Sequence, residues 1–124
     1  MLLDTHALIW ARTDPTRLSA ETREQLTDPT NAVLASAVNV WEISVKVAAG
    51  RLARPVGDIA RDLAERGVDT LPVTPAHAWV GGQLPPHHRD PFDRLLVAQA
   101  QLEGLTIVTG DPKIARYQVA ILRA

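Results

Sequence analysis

Four carboxylates stand where side chains from distant parts of the chain can meet: Asp4, Glu42, Asp93 and Asp111. Packed together, carboxylates repel one another, and the arrangement is costly unless protons or cations neutralise it. Oxygen donors without cysteine, and without a histidine pair at zinc spacing, suit Mg2+ or Mn2+. Four carboxylates could balance two divalent ions. Such a pair suits in-line attack of water on a phosphodiester, one ion lowering the pKa of the attacking water and the other stabilising the leaving oxygen.

Each acid also has an ordinary structural reading. Asp90-Pro91 is an N-cap followed by proline at the first helical position, and Asp93 then falls at the acidic position of a capping box. For Asp90 the cap is the leading reading and contact with a second metal the other. For Asp93 the helix N-terminus favours the ionised carboxylate by about 0.3–1 kcal/mol and keeps it ready to ligate. Asp111-Pro112 repeats the cap pattern, so ligand and cap both stay open there.

Glu42 shares a helical stripe with Asn39 and Lys46. The other faces carry Val40, Ile43 and Val47, and Trp41, Val45 and Ala48. A helix so apolar all round is expected to be mostly buried, with its polar stripe as the wall of a cleft. The alternative is a surface Glu42–Lys46 pair worth roughly a few tenths of a kcal/mol.

Other polar groups are candidates for substrate contact. Ser36 ends a strand and either positions a ligand or caps the next helix. His6 follows Asp4 by two residues and could touch phosphate, a neighbouring carboxylate or backbone. Arg89 and Arg94 flank the acids and could meet phosphate, an acidic partner or solvent, and Lys46 lies on the Glu42 stripe. His87-His88-Arg89 reads as a polar loop without zinc spacing.

The elements that position these groups alternate between strand and helix. Strands are expected at 2–3, 32–36, 70–73, 106–109 and 119–122, the last at an edge. A helical turn is expected at 7–11, an exposed helix at 19–27, and a helix at 38–49 stopped by Gly50. Helices follow at 57–66, with Ile59, Ala60 and Leu63 inward and Gly67 as its stop, and at 75–84, with Trp79 buried. The strongest helix spans 90–103, and a short one spans 111–116. This alternation implies a parallel sheet covered on both faces. Ligands of such sheets bind beyond the strand C-termini, which is the edge all four acids can reach.

The 124 residues fit one domain, 1–124, able to bury roughly two-thirds of its unfolded surface. The absence of cysteine excludes disulfides and thiolate chemistry and suits a reducing, cytoplasmic setting. The net charge of −1 gives no sign of nucleic acid. Arginine supplies 11 of the 13 basic residues, which base composition explains as readily as phosphate binding does. No stretch approaches the roughly 20 apolar residues of a membrane span, and no signal peptide is expected.

Four blocks carry a family resemblance. Leu2-Leu3-Asp4-Thr5-His6-Ala7-Leu8-Ile9-Trp10 resembles the opening of a PIN domain. Asn39-Val40-Trp41-Glu42-Ile43-Ser44-Val45-Lys46 resembles the second motif of that family. His88-Arg89-Asp90-Pro91-Phe92-Asp93-Arg94-Leu95-Leu96-Val97-Ala98-Gln99-Ala100 resembles the third, and Thr106-Ile107-Val108-Thr109-Gly110-Asp111 the fourth. Their order spans essentially the whole chain and is most similar to the VapC-type toxins of bacterial toxin–antitoxin pairs. The alanine- and glycine-rich segment 78–82 departs mildly from the pattern.

The resemblance implies a three-layer α/β/α sandwich around a mostly parallel sheet. It implies a Mg2+-dependent endoribonuclease, with Mn2+ as a possible substitute, acting on RNA, inhibited by a small antitoxin and forming a homodimer. By motif position Asp4, Glu42 and Asp93 carry over as the acidic triad, Asp111 as a more variable fourth acid, and Asp90 as a further motif position. Two other readings stand beside it. An aspartyl phosphotransfer domain would use Asp4 as acceptor, but the phosphatase pattern wants a second Asp where His6 stands. A catalytically inactive binding module is opposed by the presence of all four acids.

Overall fold

Successive residues of a strand point to opposite faces, and the short apolar strands use both. Leu2 and Ile107 join one core, while Leu3 and Val108 join the other. The computed structural model describes residues 1–52 and 58–124. Its strands are β1 (Leu2–Leu3), β2 (Leu34–Ser36), β3 (Asp69–Leu71), β4 (Ile107–Thr109) and β5 (Ile121–Arg123). They form one sheet in the order β3-β2-β1-β4-β5, and every pairing is parallel. The chain leaves β1 towards β2 and β3, then returns to the other side for β4 and β5. The order therefore reverses between β1 and β4, the place where open parallel sheets bind ligands.

Among the described residues six α-helices cover the sheet: α1 (Thr5–Thr13), α2 (Ala20–Thr27), α3 (Ala37–Ala48), α4 (Ile59–Glu65), α5 (Pro75–Gln83) and α6 (Pro91–Glu103). One core packs Ala7 and Leu8 of α1, Ile43 of α3, and Ile59 and Leu63 of α4 against Leu3 and Val108. The other packs Leu96, Val97 and Ala100 of α6, with Ile114 and Tyr117, against Leu2 and Ile107. The result is the expected α/β/α sandwich.

Local chemistry sets the helix ends. Asp4 caps α1 by accepting from the Ala7 N–H at 2.8 Å, which starts the helix earlier than the expected 7–11 turn. Ser19 caps α2, and Gly50 and Gly104 take positive φ just past α3 and α6. Asp58 caps α4; Gly57, the expected first residue of that helix, lies outside the described residues. The expected 111–116 helix shortens to a single 3-10 turn at Ile114–Arg116.

Three packing expectations need correction. Trp79 is 72% exposed rather than buried. Helix α5 meets α6 through Gly81, where an added Cβ would stand 3.4 Å from Leu95 Cδ1 and 3.8 Å from Ala98 Cβ. The small side of α5 makes the close approach, and the indole is left outside. Ala60 is exposed, because Ile59 and Leu63 already fill the inward face of α4. Helix α3 is buried on one face only. Asn39, Glu42 and Ile43 are inside, whereas Trp41 is 57% exposed and Ser44 and Val45 are exposed with it. The polar stripe of α3 is thus among its buried parts, and an apolar stripe faces outward.

Candidate metal centre

Asp4 leaves β1 at the switch point, and its N–H continues the ladder to Val108 O at 3.0 Å. One carboxylate oxygen accepts from the Ala7 N–H, and the other accepts from the Thr109 hydroxyl. The same hydroxyl oxygen accepts from the Asp111 N–H at 3.0 Å. One threonine at the end of β4 therefore ties the Asp4 side chain to the backbone of Asp111. Burial pushes the Asp4 carboxyl above its ordinary range, against the lowering effect of the Thr109 and Ala7 bonds and of nearby His6; Asp111 adds to the rise.

Glu42 is buried, with 3% of its surface exposed. Its Oε1 accepts from the Thr5 hydroxyl at 2.6 Å and its Oε2 from Lys46 Nζ at 2.6 Å. Asn39 donates to Thr5 Oγ1 at 3.1 Å and to Leu3 O at 3.2 Å. The polar stripe of α3 thus grips the β1–α1 junction and holds Glu42 where its charge acts on Asp93. The Glu42–Lys46 pair does form, but at a partly buried place rather than on the surface. That contact commits the Lys46 charge to Glu42 and orients its carboxylate.

Asp90 caps α6, accepting from the Phe92 N–H at 2.8 Å and the Asp93 N–H at 3.4 Å. Asp93 sits in the first turn. Asp111 uses Oδ1 to accept from the Lys113 N–H at 2.8 Å. Between the last two acids lies the His88 ring. Its Nε2 is 2.8 Å from Asp111 Oδ2 and 3.0 Å from Asp93 Oδ2. Ligand atoms of His88, Asp93 and Asp111 all lie within 4.8 Å of one another.

Burial pushes the Asp93 carboxyl up to about 8, and the charges of Asp90, Glu42, Asp4 and Asp111 push in the same direction. The expectation that a helix N-terminus keeps Asp93 ionised is therefore overturned for the metal-free protein. A dipole contribution of about 0.3–1 kcal/mol is outweighed by desolvation and four nearby carboxylates. Among the described residues the cluster at ligand distance is His88, Asp93 and Asp111; Asp4 and Glu42 lie outside it, though their charges act on Asp93, and the donor chemistry suits a divalent cation. The donors are chiefly hard carboxylate oxygens, carried by separate elements and costly to ionise together, and a divalent cation relieves that cost.

The other sequence candidates separate clearly. Ser36 has no exposed surface; it caps α3 through the Val38 N–H and donates to Gln99 Oε1 at 2.6 Å, so it does not face a substrate. Arg94 is spent on backbone carbonyls, donating to Pro85 O at 3.1 Å, His88 O at 3.3 Å and Leu84 O at 2.9 Å. It is a clamp on the loop before α6 and not a free phosphate ligand. His6 is exposed beside Asp4, with its ring 6.0 Å from that of Trp10, and Arg89 is exposed. Sequence reasoning passed over His88. A signal was available, since His88 stands two residues before the cap of the helix that carries Asp93.

A family pattern described as the PIN domain matches residues 1–120. The chain belongs to the PIN-domain family. Among its relatives, Ribonuclease VapC22 of Mycobacterium tuberculosis is 31% identical over 121 residues, covering 95% of this chain and 92% of that protein. Solved structures of similar fold include VapBC2 from Rickettsia felis bound to a DNA fragment from the promoter. It has a TM-score of 0.72 at 16% identity and covers 98% of this chain and 96% of that one. A toxin–antitoxin complex from Klebsiella pneumoniae has a TM-score of 0.67 at 17% identity, covering 98% and 95%. In this PIN domain the sandwich, the all-parallel sheet and the acids at the strand C-termini belong to one architecture.

Proposed function

We propose that this PIN domain, as a single nuclease domain over residues 1–124, is a metal-dependent endoribonuclease and the toxin of a toxin–antitoxin pair. The observation that carries the reading is the meeting of Asp93 and Asp111 within 3.0 Å of one His88 nitrogen, with Asp4 tied to the same strand end through Thr109. The ribonuclease relative supports RNA as substrate, and the likeness to a toxin–antitoxin complex supports a small antitoxin as partner.

Asp4, Glu42, Asp93 and Asp111 would hold Mg2+ or Mn2+, with Asp90 at the margin as cap and neighbouring charge. When bound, the ion supplies charge neutralisation and an activated water for phosphodiester hydrolysis. The residues of the chain prepare that chemistry. Asp93 gives up its proton when the site is loaded. Thr109 and the Ala7 N–H fix the Asp4 oxygens, and Thr5 and Lys46 fix those of Glu42. Arg89 and His6, both exposed at this edge, are the contacts we assign to RNA phosphates. A homodimer is part of the proposal, and the exposed Trp41 and Trp79 offer apolar surface for association. Among the described residues, no helix is long and apolar enough to cross a membrane.

The test is cleavage of RNA by purified protein with Mg2+ or Mn2+, set beside Asp93→Asn. Cleavage that needs the ion and is lost in the variant is expected; equal cleavage by the variant would place the activity elsewhere.

A further inference from the structure

We propose that His88 is a positioning residue that donates a hydrogen bond to the Asp111 carboxylate, stands against that of Asp93, and is not itself a metal ligand; this rests on the metal-site reading above. Two contacts of one ring fix the assignment. Nδ1 accepts the backbone N–H of Asp90 at 3.1 Å. An acceptor nitrogen carries no proton, so the neutral ring bears its proton on Nε2. That Nε2–H is the group lying 2.8 Å from Asp111 Oδ2 and 3.0 Å from Asp93 Oδ2. A ligating Nε2 would need its lone pair free and the proton on Nδ1, where it would oppose the Asp90 N–H.

The ring is held in this pose from outside. The His88 N–H donates to Tyr117 Oη at 2.9 Å, and that hydroxyl donates to Pro85 O at 2.7 Å. Arg94 donates to Leu84, Pro85 and His88 carbonyls from the same side. The loop is therefore bound at both ends, and the His88 side chain is 10% exposed. The two acids come from unlinked places, the first turn of α6 and the segment after β4. One ring that bonds Asp111 and abuts Asp93 sets the spacing of the two carboxylates before any cation arrives, as outer-sphere partners of metal sites do.

Mn2+ tests this directly, because it is paramagnetic and reports a bonded nitrogen. Wild-type protein loaded with Mn2+ should show no directly coordinated 14N coupling by pulsed electron paramagnetic resonance, a measurement that needs no variant to fold. Calorimetry should find Mn2+ bound about 10–100-fold more weakly by His88→Ala. His88→Gln, whose amide N–H reaches the Nε2 position, should recover most of that loss. A 14N coupling in the wild type that disappears in His88→Ala would make His88 a ligand and overturn the inference, as would unchanged affinity in both variants. Wild-type protein that binds no Mn2+ would overturn the metal-site reading itself, and this inference with it.

Discussion

At the scale of residues, Asp93 sets the pH behaviour of the site. Its folded carboxyl lies at about 8, against an ordinary value of 3.8. Below 3.8 it is protonated in both folded and unfolded chains. Between these values the unfolded chain releases the proton and the metal-free folded protein keeps it. Stability therefore falls as pH rises through that window and levels off above about 8. Urea unfolding in chelator should show this decline in the wild type and a flatter profile in Asp93→Asn. A divalent ion must displace the same proton. Mn2+ binding near pH 6 should then release about one proton from Asp93, and almost none above pH 9. Calorimetry in buffers of different protonation enthalpy measures it directly. The positions of Asp4, Glu42, Asp93 and Asp111 were legible because each follows from a strand end or a helical register. The protonation of Asp93 was not, since it depends on burial and on four charges brought in by folding. His88 left only a positional signal, two residues before the cap of α6, because its pose is set by Arg94 and Tyr117 and no periodicity marks it.

At the scale of elements, capping chemistry was the readable part. Ser19, Asp90 and Gly50 announced the ends of α2, α6 and α3, and the structure uses all three. What a helix buries was harder. An aromatic in a short apolar helix is usually core, yet Gly81 lets α5 sit so close to α6 that Trp79 turns outward. Replacing Gly81 by Val should overpack this contact and lower stability by about 1–3 kcal/mol. Trp79→Ala should cost the isolated subunit no more than about 0.5 kcal/mol, since the indole is exposed there. Thermal or urea unfolding of the two variants checks both values, and a larger loss from Trp79→Ala would mean that the indole is buried. The same reasoning explains α3. Its polar stripe is inside, as the apolar surround of Asn39 and Glu42 implied, because they bond to Leu3 O and Thr5; what patterning did not register is that Trp41 and Val45 face outward.

At the scale of the whole molecule, alternating strands and helices made a covered parallel sheet legible. The order β3-β2-β1-β4-β5 was not, because strands of two or three residues carry no signal for their neighbours. That order matters most for function: it puts the ends of β1 and β4 side by side and so brings Asp4 and Asp111 together. A site assembled from separate elements exists only in the folded chain, so its ligand must stabilise the fold. Mn2+ at about 100 times its dissociation constant should raise wild-type stability by about 2.7 kcal/mol, with no comparable gain in Asp93→Asn. Melting with and without chelator measures this. The most direct measurement is RNA cleavage by highly purified wild-type and Asp93→Asn proteins, each with Mn2+, with Mg2+ and with chelator. Cleavage by the wild type alone, and only with a divalent ion, is the predicted result; cleavage that persists in chelator, or that Asp93→Asn performs equally well, would contradict it.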